Sequence, residues 1–152
     1  MKKFFITLGS IFFALIVLAA VGIAFVAIKG SALDKESRAY ADSAIPAIVS
    51  TWSEKELLDR ASPEFNKVVT IDQVDRLFRW LRALGALQKC EPAKGQSLMS
   101  ATTQAGKTVT AEYVAQAEFE KGEATISLRL IKHGDQWQIV NFHVNSPALL
   151  PP

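Results

Sequence analysis

From Phe4 to Ile28 the chain is uncharged and dominated by apolar side chains, FFITLGSIFFALIVLAAVGIAFVAI. Beyond it the hydrophobic positions fall into a helical rhythm and then into a two-residue rhythm. Leu33, Tyr40, Ala44, Ala47, Ile48 and Trp52 share one face at helical spacing, which predicts a helix over Leu33–Trp52 with a kink at Pro46. Ser53 and Glu56 form a capping box that opens a short helix through Ala61, and Ser62-Pro63 stops it. Thr70 and Gln73 repeat the box ahead of a stripe of Val74, Leu77, Phe78, Leu81 and Leu84, closed by Gly85. The rhythm then becomes two. Gln96–Thr103, Thr108–Glu120, Glu123–Lys132 and Gln136–Asn145 read as strands joined by tight turns, among them Lys121-Gly122 and His133-Gly134-Asp135. Consecutive hairpins make an antiparallel meander. Helices first and strands after define an α+β plan, with helices packed on a curved antiparallel sheet of about four strands.

The last strand breaks its own phase, since Trp137 and Ile139 share one face while Phe142 and Val144 share the other. Either both faces are covered, or a bulge near Val140-Asn141 resets the phase; the bulge is the preferred reading, and it turns Asn141 and His143 outward. Trp137 is expected in the core beneath the Leu77, Phe78 and Leu81 stripe.

At ~1.5 Å per residue a helix over Phe4–Ile28 is about 37 Å long, enough to cross a ~30 Å hydrocarbon layer with some tilt. A cleaved export signal is the rival reading. Its apolar core is usually ~7–15 residues and ends at small residues, whereas the best cleavage candidate here, Gly22-Ile23-Ala24, lies inside the run. An uncleaved single-pass anchor is the better fit. Lysines flank both ends, so the positive-inside rule does not decide orientation. The three-residue N-terminal flank favours a cytoplasmic N-terminus, with the rest of the chain in the periplasm or outside the cell. Ala20, Ala24, Ala27 and Ser31 share a face and would allow close helix pairing, although alanine is common in such helices anyway. The expected organisation is an anchor over 1–30, one domain over 31–146 and a Pro-rich tail over 147–152.

The net charge of +2 comes from Lys2 and Lys3; the remainder holds 15 basic and 15 acidic residues. A neutral domain argues against nucleic acid as a partner, since that requires a concentrated basic face. Cys90 is the only cysteine, so no internal disulfide forms, and a buried inert thiol is the expected state. The run from Ala101 to Thr108 matches a relaxed phosphate-loop pattern, but a strand pattern follows where the motif needs a helix, so Gln104–Lys107 reads as a turn. His133 and His143 have no partner at metal-ligand spacing, and spacing alone gives no support to a Cys90–His143 pair. Glu112, Glu118 and Glu120 alternate with apolar residues and face outward together. Asp72, Asp75, Arg76, Arg79 and Arg82 form a solvated helix face with i, i+4 pairs. No catalytic, cofactor or metal residue is assigned.

The closing stretch, from Leu128 through Trp137, Ile139 and Phe142 to Val144, resembles the terminal hairpin of cystatin-like, or nuclear-transport-factor-like, domains. There a polar Gly/Asp turn precedes a tryptophan, an aliphatic residue two on, and an aromatic near the strand end. The likeness is to small, membrane-anchored bacterial members with no assigned activity. It implies a cone with a cavity, and a role in binding, dimerisation or assembly; no catalytic residue carries over. The function expected on this basis is a non-enzymatic module at the inner membrane that acts by protein contact. A binder of a small apolar ligand is the alternative, and an enzyme comes third. Tyr113, Leu128 and Trp137 are the candidate cavity residues. Tyr40, Val114 and Ile131 are the candidate interface, with Val114 and Ile131 forming the centre of an outer-face patch. The expected partners are the membrane, through Phe4–Ile28, and a second copy or another membrane protein.

Overall fold

The computed structural model describes the backbone of residues 2–104 and 106–149, with side chains over that range except 2–13 and 26–29. The chain divides into two compact units, Met1–Leu33 and Asp34–Pro152. A single helix, α1 (Lys2–Val49), replaces the expected anchor, junction and separate helix. It is long and apolar enough to cross a membrane. From Ala14 to Phe25 the apolar side chains are exposed, Leu18 at 68% and Ile23 at 71%. Pro46 is accommodated inside α1, which continues through it to Val49.

The second unit is α+β. Its core-facing half of α1 is followed by α2 (Glu54–Leu58), α3 (Pro63–Val68) and α4 (Ile71–Leu81), with a 3-10 turn at Arg82–Leu84. Each short helix begins where its sequence supplies an acceptor for an orphaned amide. Ser53 Oγ accepts from Glu56 N, and the Thr70–Gln73 capping box is complete in both directions. Ser62-Pro63 does not end a helix. Ser62 Oγ accepts from Phe65 N and Pro63 occupies the first turn, so the pair starts α3. Proline is well placed there because its missing donor would have been unpaired anyway.

Five strands form one open antiparallel sheet: β1 (Leu87–Cys90), β2 (Lys94–Thr102), β3 (Gly106–Phe119), β4 (Gly122–His133) and β5 (Gln136–Asn145). The strand not foreseen is β1. It and β2 pair with successive parts of the long β3, Cys90 opposite Ala117 and Lys94 opposite Val114. Pro92, which has no amide to donate, lies in the gap between them. The sheet is therefore only four strands deep. Gly95 is required for close approach, since a Cβ there would lie 1.8 Å from the Glu112 carbonyl oxygen.

The expected bulge is present. Register shifts between Arg129 and Leu130 opposite β5, leaving Val140 unpaired, so Phe142 faces Leu128 and Val144 faces Ile126. Trp137, Ile139, Phe142 and Val144 thus share the inner face, while Asn141 and His143 are exposed. The inner face also carries Ala111, Tyr113, Ala115, Ala117 and Phe119 of β3 and Ala124, Ile126, Leu128 and Leu130 of β4, all buried. The outer edge of β5 is covered by the turn after α2, where Ile139 N donates to Arg60 O and Ser62 N donates to Ile139 O.

The β5 ring that meets the α4 stripe is Phe142, not Trp137. Phe78 packs edge-on against Phe142 and Trp52, with centroids 6.1 and 5.6 Å apart, and Trp52 stacks on Phe119 at 5.5 Å. Trp137, about 17 Å away along the strand, lies under Lys132, whose Nζ is 5.5 Å from the ring centroid. The bulge moves Phe142 into phase, and that placed the aromatic partner of α4 where simple alternation did not.

Phe78 is fully buried and Trp80 is half exposed. Phe78→Ala is expected to cost about 3–5 kcal/mol in urea unfolding, and Trp80→Ala less than about 0.5 kcal/mol.

Candidate functional site

Three features stand out on the second unit. The first is a seam between α1 and the edge of β2. Asp34, Arg38 and Asp42 recur at i, i+4 and i+8, so they project from one side of α1. Asp42 Oδ1 accepts from Ala93 N at 2.7 Å, Arg38 Nη2 donates to Gly95 O at 3.2 Å, and Asp34 Oδ1 accepts from Ser97 N at 2.6 Å and from Ser97 Oγ. Eight helical residues rise about 12 Å and four strand residues about 13 Å, so the two spacings match. Backbone groups of an edge strand that would otherwise await another strand are satisfied by side chains. The two Ser97 donors hold the Asp34 carboxyl below its usual range.

Tyr113 belongs to the same seam. Its hydroxyl lies 2.8 Å from Ser37 Oγ and donates to the Asp34 carbonyl at 3.1 Å. It is 1% exposed, as is Leu128, and Trp137 is 8% exposed. The three candidate cavity residues are all core residues of the second unit.

The second feature is a groove of about 210 Å³ between α3 and α4, floored by Leu57, Phe65, Val74 and Phe142. Val68 and Leu77 stand on its rim, and Trp80 follows Leu77 by one helical turn. Val68 is 74% exposed. The third is a shallow groove of about 270 Å³ on the outer sheet face, lined by Glu112, Val114, Ser127, Arg129, Asn141 and His143. Its charges are internally matched, with Arg129 Nη2 2.5 Å from Glu112 Oε1.

Val114 is exposed and Ile131 half-buried on that outer face, but they do not adjoin. Val114 pairs with Ser127 and Ile131 with Thr110, and the Glu112–Arg129 row separates them. The expected joined patch is therefore not formed: the β3–β4 turn fixes a register that offsets the two residues by about 13 Å. Tyr40 is half-buried on α1, and burial raises its phenol above the ordinary range.

The chemical groups are dispersed. Among the described residues no group of three or more His, Cys, Asp or Glu is placed to hold a metal. Cys90 is half-buried, and burial pushes its thiol up, which keeps it protonated and unreactive at neutral pH. It pairs with Ala117 on the inner face, three strands from His143 on the outer one, so the two do not meet. His133 lies 3.1 Å from Glu64. No protein-family model matches the chain, nor does any curated protein or solved structure.

Asp34→Ala leaves the Ser97 amide without its acceptor and is expected to lower stability by about 1–2 kcal/mol at neutral pH. The folded carboxyl titrates below its unfolded value of 3.8, so its contribution is present above that pH and is lost as pH falls through the folded value. Urea titrations should therefore show the gap between wild type and Asp34→Ala closing on acidification.

Proposed function

We propose that this chain is a single-pass, membrane-anchored module whose second unit lies outside the cytoplasm and works by contact with another protein, without catalysis. One observation carries this reading: an apolar groove bordered by exposed Val68, Leu77 and Trp80. Small clusters of this kind, with an aromatic at the border, suit a protein partner. The long apolar helix supports a membrane address, and an inner-membrane anchor with a cytoplasmic N-terminus agrees with a run that offers no good cleavage site. The layout of helices across an antiparallel sheet is compatible with a cystatin-like cone.

The apolar-ligand alternative has less support. Its inner-face residues Tyr113 and Leu128 are covered, and the α3–α4 groove is smaller than the ~300–1,000 Å³ usual for small-molecule sites. An enzyme has least: Ser97 meets the Asp34 carboxylate, but both groups hold the α1–β2 seam, and Cys90 and His143 lie apart.

The test is photocrosslinking in intact membranes from a benzophenone amino acid at Trp80, with Gln116 on the outer sheet face as the control position. A discrete adduct from Trp80 that disappears in Leu77→Glu is the expected result; adducts only from Gln116 would contradict it. The anchor is tested separately. The mature protein should retain Lys2 and resist carbonate extraction, and a mature N-terminus near Phe25 would contradict the anchor.

A further inference from the structure

The seam between α1 and β2 has a direction. Asp42, Arg38 and Asp34 meet Ala93, Gly95 and Ser97 in that order, so β2 runs toward the end of the second unit where the chain enters at Asp34. Among the described residues, no α1 side chain hydrogen-bonds to Leu98, Met99, Ser100 or Ala101. The remaining five residues, Leu98–Thr102, extend about 16 Å further the same way. They pair with the first residues of β3, while β4 joins β3 only from Thr110 onward. The β2–β3 hairpin therefore ends in a two-stranded arm. Leu98 and Met99 stand on its two faces, 52% and 46% exposed.

Covalent reach sets what this arm can meet. Asp34 follows Ile28, the last residue of the apolar run, by six residues. Six residues span about 9 Å as helix and at most about 21 Å fully extended. Whatever the arrangement, the Asp34 end of the second unit stays within that distance of the membrane surface once the run is inserted. An arm reaching about 16 Å from Ser97 is long enough to close such a gap.

Charge agrees with this. From Gly95 to Ala111 there is no acidic residue, and Lys107 is the one charge. The opposite end of the same strands carries Glu118, Glu120 and Glu123 around Lys121. At the arm's end of the sheet the β4–β5 turn adds His133 and Asp135; Glu64 is paired with His133, and Glu36 with Lys132. Lipid headgroups with a net negative charge accept Leu, Met and Lys side chains at the interface and repel carboxylates.

We infer that the tip of the β2–β3 arm is a second membrane contact, with Leu98, Met99 and Lys107 seated at the headgroup boundary of the bilayer that holds the anchor. The inference rests on the anchor reading proposed above. The arm would limit swivelling of the second unit and present its α3–α4 groove at a fixed height.

The experiment uses full-length protein in vesicles of phosphatidylethanolamine and phosphatidylglycerol that contain a headgroup-nitroxide lipid. In a Cys90→Ser background, bimane is attached at Gln104→Cys, at Met99→Cys or, as the control at the other end of the strands, at Lys121→Cys. Flotation is measured on the same samples. The expected result is flotation of all three, with most emission lost from bimane at positions 104 and 99 and little lost at 121. Adding Leu98→Glu should restore emission at position 104 without altering the melting curve. Flotation with equal emission at positions 104 and 121 would overturn the arm contact and leave the anchor standing. Failure to float would overturn the anchor and the arm contact together.

Discussion

The fold depends on how the open edge of β2 is closed. A strand at the border of a sheet presents amides and carbonyls that favour pairing with another chain. Here α1 runs along that border and satisfies it with Asp34, Arg38 and Asp42 at one-turn intervals. The opposite border, β5, is met by the turn after α2 through Arg60 and Ser62. Part of each of these two edges is thus covered by segments that come earlier in the chain. The inner face can then fill with helix side chains instead of a second sheet.

Small residues make the first closure sterically available. Ala41 and Ala44 on α1, and Ala111, Ala115 and Ala117 on β3, are buried where a helix must lie close to a sheet. Tyr113 is the exception among them, and its hydroxyl ends at Ser37 and the Asp34 carbonyl, which keeps a buried polar group satisfied. Farther along, where α1 ends, Trp52, Phe78, Phe119 and Phe142 occupy the wider space between sheet and α4. The core thus passes from small side chains beneath α1 to aromatic ones beneath α4.

Much of this was legible as pattern. The alternation of Ala111 to Phe119, the capping box at Thr70 and the bulge at Val140 each follow from local physics, and each lies where the sequence puts it; the β3–β4 turn falls one residue earlier than expected, at Glu120-Lys121, because Gly122 already pairs with Phe119. What failed was long-range. Ser62-Pro63 carries both a stop and a start signal, and only the packing of Phe65 selects the start. The β1 strand is too short to show a period. Val114 and Ile131 share an outward face, but their separation depends on register. Asp34, Arg38 and Asp42 lie at helical spacing, which alone marks only a polar helix face. Their partners, being backbone groups, have no residue-type signature, so the seam could not be found without the fold.

The central claim is that side chains of α1 replace a neighbouring strand along β2. Residue-resolved amide hydrogen exchange of the full-length protein tests it most directly. Edge amides held by a carboxylate should be slow, and those of the same edge left open should be fast. The account predicts protection at Ala93 and Ser97 close to that of interior β3 amides, with rapid exchange at Met99 and Ala101. Exchange at Ala93 and Ser97 as fast as at Met99 would contradict it.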